Sequence, residues 1–147
     1  MLILIIIATI ALVVVIHYEC LYRLTLLMPS IHIKHRYRLV IGIFGSLLAH
    51  IFEVIIFGFA YFFMHAQAGL GYLEGRFVIS LSDCIYFSFT TYTTLGYGDI
   101  EPYGGIRFLA GVESLTGLVL ITWTASFLFI EMQRYWVLGK TRHEKKD

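Results

Sequence analysis

The stretch TTYTTLGYGDIEP, Thr90 to Pro102, places Gly96 and Gly98 on either side of Tyr97. The chemistry this spacing permits is coordination by backbone oxygen. Glycine lacks Cβ and adopts positive φ, so residues alternating with it can turn their carbonyls to one side of an extended chain, where an ordinary strand would alternate them. Carbonyls of Thr94, Leu95, Gly96 and Tyr97 then form successive rungs, and the Thr94 hydroxyl adds one more below. One chain builds one wall, whereas dehydrating a monovalent cation needs oxygens on all sides, so several copies must surround an axis. The same triplet also occurs in turns of soluble loops, and the elements around it decide between the two readings.

Those elements belong to a membrane protein. The chain has 147 residues, of which 59% are hydrophobic and 14% charged, and its mean hydropathy is +0.79, too apolar for an ordinary soluble domain. Three stretches reach the roughly 20 apolar residues that cross a hydrocarbon core. The first is 1–28, free of Asp, Glu, Lys and Arg before Glu19 and expected to end at Pro29; the others are 38–66 and 105–136. A cleaved signal peptide is the rival reading of 1–28, but it lacks a basic start and a small-x-small cleavage site, and its apolar run is too long.

Between the second and third spans lies SLSDCIYFSFTTYTTLGYGDIEP, too short to cross twice. Ser80 and Asp83 make a capping pattern, and Cys84 to Thr93 contain neither Gly nor Pro, so a short helix is expected over 81–93, followed by extended backbone. At membrane depth this is a re-entrant loop, tolerated where it is buried in protein or lines water.

Placement of charge sets the topology, while the net charge of +1 gives no hint of nucleic acid. Arg23, Lys34, Arg36, Arg38, Arg134, Lys140, Arg142, Lys145 and Lys146 fall on one side, and only Arg76 and Arg107 flank the loop. The positive-inside rule makes the first side cytoplasmic, with an extracellular N-terminus and a cytosolic tail over 137–147. Tyr135 and Trp136 suit the inner aromatic belt and Tyr103 the outer one. Cys20 and Cys84 lie at different depths, too far apart for a disulfide.

TTLGYGD resembles the potassium-channel signature TTVGYGD, and the helix, loop, helix frame over 38–136 resembles the tetrameric bacterial two-helix pore domain. The resemblance implies an all-α membrane protein of three transmembrane helices, a re-entrant pore helix and a selectivity-filter loop, assembled as a homotetramer in the plasma membrane. Outer helix 38–66, pore helix 81–93, filter 94–98 and inner helix 105–136 would form the pore domain, with 1–28 as an additional helix and 29–37 as a basic cytoplasmic loop. It further implies K+ as the permeant ion, coordinated through Thr94, Leu95, Gly96 and Tyr97, with Gly98 completing the filter. No cofactor, small-molecule substrate or enzymatic activity is expected. Leu95 replaces the commoner Val, a change behind the filter rather than at the ion. Relatives that do not select potassium often lose the aromatic that Tyr97 supplies.

Further positions follow from the same resemblance. Tyr86 and Phe87 stand where the family often has tryptophans; Tyr86 is expected to reach Asp99, and Phe87 to pack on Tyr97. Thr90 replaces a Glu found in some members, so inactivation behaviour is not inherited from them. Gly117 matches a hinge glycine, with close helix packing as the alternative. Leu118, Ile121, Ala125 and Phe129 follow helical spacing and should line the cavity and inner mouth, Phe129 as an apolar gate.

Glu53 and Glu113 lie within spans, where charge is expensive. Glu113 is expected to bond Ser88, Thr91 or His50; a locally satisfied protonated acid and a proton sensor are the competing roles. The sequence leaves three other functions open: a weakly selective cation channel, a membrane haem protein using some of the six histidines, and a structural or sensor subunit. No span carries regularly spaced arginines for voltage sensing.

Overall fold

The computed structural model describes residues 1–30, 35–67, 69–76 and 80–143, with side chains at all of these except 29, 30, 35, 36 and 135–143. Its elements run α1 (Leu2–Ser30), α2 (His35–Ala66), β1 (Tyr72–Gly75), α3 (Leu81–Tyr92), β2 (Ile100–Tyr103) and α4 (Ile106–His143). Three of the helices are long and apolar enough to cross a membrane, over Leu2–Met28, Tyr37–Ala66 and Ile106–Arg134.

Several boundaries differ from those read in the sequence. Pro29 does not end α1, which runs one residue beyond it; a proline this close to a helix terminus forfeits one backbone bond without clearing the last turn. The segment assigned as a basic loop is largely helical, because 29–30 belong to α1 and 35–37 to α2. Lys34 lies outside the described residues. Likewise α4 continues through 137–143, where a tail was expected, and 144–147 lie outside the described residues. The short helix α3 stops at Tyr92 rather than 93.

The chain is mostly helical but not wholly so. β1 and β2 pair antiparallel, Tyr72 opposite Tyr103 and Gly75 opposite Ile100, and the Tyr72 and Tyr103 rings stack with centroids 5.3 Å apart. Strands of four residues containing Gly and Pro carry almost no pattern, which is why alternation did not announce them. The ribbon joins the chain ahead of α3 to the chain after the glycine loop, and Arg76 N–H adds a bond to the Asp99 carbonyl at 2.9 Å.

α1 lays Val13, His17, Leu21 and Met28 inward, a helical stripe against the rest of the chain. Its Leu24 and Met28 side chains fill the spaces over Gly45 and Gly42 of α2, the close approach that small residues allow between apolar helices. α3 is wedged between α2 and α4, burying Cys84, Phe87, Ser88 and Tyr92 among Phe57, Tyr61, Leu109 and Leu120. Outward, Leu4, Phe44, Phe52, Phe63, Phe108 and Leu115 are all exposed, far more apolar exterior than water tolerates on a monomer. Both cysteines are free thiols.

Candidate functional site

The glycine loop begins where α3 ends. Ser80, in extended conformation, caps the helix by accepting the Asp83 N–H at 3.2 Å. At the other end Thr93 N–H bonds the Phe89 carbonyl at 3.2 Å, Thr94 N–H the Thr91 carbonyl at 3.0 Å, and Gly96 N–H the Thr90 carbonyl at 3.0 Å. These last-turn bonds satisfy carbonyls that a helix end otherwise leaves orphaned, and they fix the exit angle of the chain.

Beyond them every second residue is left-handed: Thr94 at φ 58°, Gly96 at 51° and Gly98 at 74°. The open space around the positions a Cβ would take at Gly96 and Gly98 leaves backbone conformation, not crowding, as the reason for glycine there. The left-handed backbone at Thr94 is not what its residue type predicts. A β-branched residue in this region is a genuine outlier, costing on the order of 1–3 kcal/mol, and such strain concentrates at functional sites. Residues 93–98 are all exposed, Leu95 by 57% and Tyr97 by 67%, so the loop faces outward from the single chain.

Around the loop the structure brings some of the expected residues together and separates others. Tyr86 OH donates to Asp99 Oδ2 at 2.9 Å, and that bond raises the phenol above its ordinary pKa. Phe87 does not pack on Tyr97. Its ring meets Tyr61 edge-on, centroids 4.9 Å apart, because the buried face of α3 points toward α2. Thr90 is buried and its hydroxyl donates to the Phe87 carbonyl at 2.9 Å within its own helix; its link to the loop is the backbone bond to Gly96.

Gly117 sits against the end of α3. A Cβ there would fall 2.3 Å from the Tyr92 carbonyl oxygen and 3.0 Å from its ring, so the glycine is the point at which α4 touches the base of the loop. This contact supplies the packing role on observation, while a hinge role rests on the resemblance alone. Leu118, Ile121, Ala125 and Phe129 are all exposed. Ile121 and Ala125 border a cavity of about 440 Å³ shared with Leu47, Ile51 and Phe89; Leu118 and Phe129 lie outside its lining.

Both intramembrane acids are buried and fully partnered. Glu113 accepts from Tyr61 OH and lies 2.5 Å from Ser88 Oγ. Of its expected partners only Ser88 is correct: the Thr91 carbonyl takes Ser114 Oγ at 3.0 Å, and His50 belongs to the other acid. Glu53 accepts from Tyr92 OH at 2.5 Å and lies against His17 Nδ1 at 2.8 Å and His50 Nδ1 at 3.0 Å. His17 was not among the candidate residues, yet its side chain is fully buried. A signal for it was present: a polar titratable group in an apolar helix must find a partner on a neighbouring one.

A family model described as an ion channel matches residues 49–134, from the middle of α2 through α3 and the loop to Arg134 in the last third of α4. No curated protein and no solved structure matches.

Proposed function

The chain belongs to the ion channel family and is a multi-pass membrane protein; from that premise we propose that it conducts K+ passively and selectively through a homotetrameric pore. The observation that carries the reading is the alternation of left-handed residues at 94, 96 and 98 in an outward-facing loop. In the proposed pore, four such loops surround an axis, and the carbonyls of Thr94, Leu95, Gly96 and Tyr97 replace the water shell of the ion. α3 enters the membrane from outside and returns as the loop, so the C-terminal end of its dipole favours a cation below the filter. In that pore Leu118, Ile121, Ala125 and Phe129 of α4 line the central cavity around the axis and the inner mouth. The N-terminus lies outside the plasma membrane and the C-terminal segment in the cytosol. The protein moves ions and is not an enzyme.

The experiment is reconstitution in liposomes with unequal K+ and Na+. A reversal potential that follows the K+ gradient is expected. One near zero, despite flux, would move the assignment to the weakly selective cation channel, and absence of flux would overturn both. The haem alternative loses ground on geometry: His17 and His50 converge on one carboxylate with ring centroids 5.3 Å apart, rather than facing each other across a gap that a porphyrin fills.

A further inference from the structure

Away from the loop, three donors converge inside the helix bundle. His17 of α1 and His50 of α2 each bring Nδ1 to the Glu53 carboxylate, at 2.8 Å and 3.0 Å. One ligand atom from each of the three residues lies within 4.8 Å of the others. His17 and Glu53 are fully buried, and the His50 side chain is 15% exposed. Tyr92 OH stands 2.5 Å from Glu53 Oε2 and 2.9 Å from His50 Nδ1. On the far side both rings meet one hydroxyl, Thr124 Oγ1, at 3.1 Å from His50 Nε2 and 3.4 Å from His17 Nε2.

Counting protons shows what this set lacks. Two neutral rings beside an ionised Glu53 leave a buried anion with no counter-charge. They also fail on hydrogen bonds. With both ring protons at Nδ1, two Nε2 lone pairs compete for the one Thr124 proton. With the His50 proton moved to Nε2, its Nδ1 lone pair faces Glu53 Oε2 at 3.0 Å, with a single Tyr92 proton for the two acceptors. A cation resolves both problems. If each ring carries its proton at Nε2, Thr124 Oγ1 accepts from both through its two lone pairs, and both Nδ1 lone pairs are free to ligate an ion beside the Glu53 carboxylate.

We propose that His17, His50 and Glu53 form a binding site for a divalent transition-metal ion of the zinc class, joining α1 to the channel segment. Two imidazoles and a carboxylate are a donor set that zinc accepts, with Tyr92 oxygen or water available as a fourth ligand. Thr124 supplies the outer partner that fixes the tautomer of ligating histidines. A cavity of about 440 Å³ borders the site at His50, Tyr92 and Thr124. Neither His17 nor the metal takes part in the proposed conduction path, so the site stands or falls separately from potassium selectivity.

The test uses the full chain purified in detergent, stripped with a chelator and re-equilibrated with Zn2+. Elemental analysis should find about one zinc per chain, and Co2+ in its place should give the visible d–d absorption of a bound, low-coordinate ion. His17→Gln and Glu53→Gln should each abolish uptake, while Glu113→Gln, outside the cluster, should leave it unchanged. Thr124→Val keeps the shape of the side chain, and should weaken the apparent Zn2+ Kd roughly 10- to 100-fold; it carries the test should the ligand variants fail to assemble. Background zinc in the parent chain, or uptake that Thr124→Val leaves unchanged, overturns the site and assigns the missing charge to a proton on one ring.

Discussion

Thr94, Gly96 and Gly98 do their work through φ, and this sets how they respond to substitution. At Gly98 a Cβ would meet no neighbour, yet φ is 74°, so Gly98→Ala is penalised by conformation, by roughly 1–2 kcal/mol. Relaxation of the backbone would remove one carbonyl from the column, and Gly98→Ala is expected to abolish K+ flux in the liposome assay while the protein still folds. Tyr86 acts differently, through its hydroxyl. Tyr86→Phe removes the bond to Asp99, an exposed pair whose loss should leave assembly intact and alter open-state lifetime or inactivation in single-channel records; unchanged records would count against a bracing role. At this scale the two glycines are legible from residue type alone. Thr94 is not, because β-branching argues against the conformation it adopts. Nor is the Phe87 to Tyr61 contact, since rotation of α3 about its axis is decided by which face its neighbours can bury.

Among the elements, α3 is the pivot. Its cap is readable from Ser80 and Asp83, and its end is held by bonds from residues 93, 94 and 96 back into the last turn. α4 is coupled to that end at Gly117, where a side chain would strike the Tyr92 backbone. Gly117→Ala therefore forces α4 away from α3 and is expected to cost about 1–3 kcal/mol, as overpacking does, seen as a lower thermal midpoint of the assembled protein. A hinge role alone would instead predict altered gating with unchanged stability. The apolar spans are legible because length and hydropathy suffice to find them. The β1–β2 ribbon is not, because its register comes from the closure of the surrounding segment rather than from alternation. The partners of Glu53 and Glu113 lie between the two cases: that these acids need partners follows from sequence, but which partners they take depends on the relative rotation and depth of four helices.

For the whole molecule, the apolar exterior fits a chain that crosses the membrane, and the outward-facing loop is what the proposed assembly would leave open on each subunit. Phe129 is exposed on α4, where copies around an axis would bring four such rings together. Phe129→Ala is expected to widen that constriction, and the measurement is leak current under conditions that close the parent channel; an equally tight closed state would place the gate elsewhere. α1 lies outside the matched residues 49–134, yet it places His17 against the buried Glu53 of α2, so it is part of the bundle rather than an attachment to it.

The exposure of residues 93–98 has a consequence that is genetic rather than structural. A subunit that contributes one wall of a shared site cannot fail privately: its defect is inherited by every ring it enters. If the chain assembles as the proposed homotetramer, then in a cell expressing parent and Gly98→Ala chains together only a small minority of tetramers would be free of the altered copy. The variant should therefore behave as dominant, suppressing current far beyond its share of the protein, and its dominance would depend on the same geometry that leaves the loop unfinished in one chain.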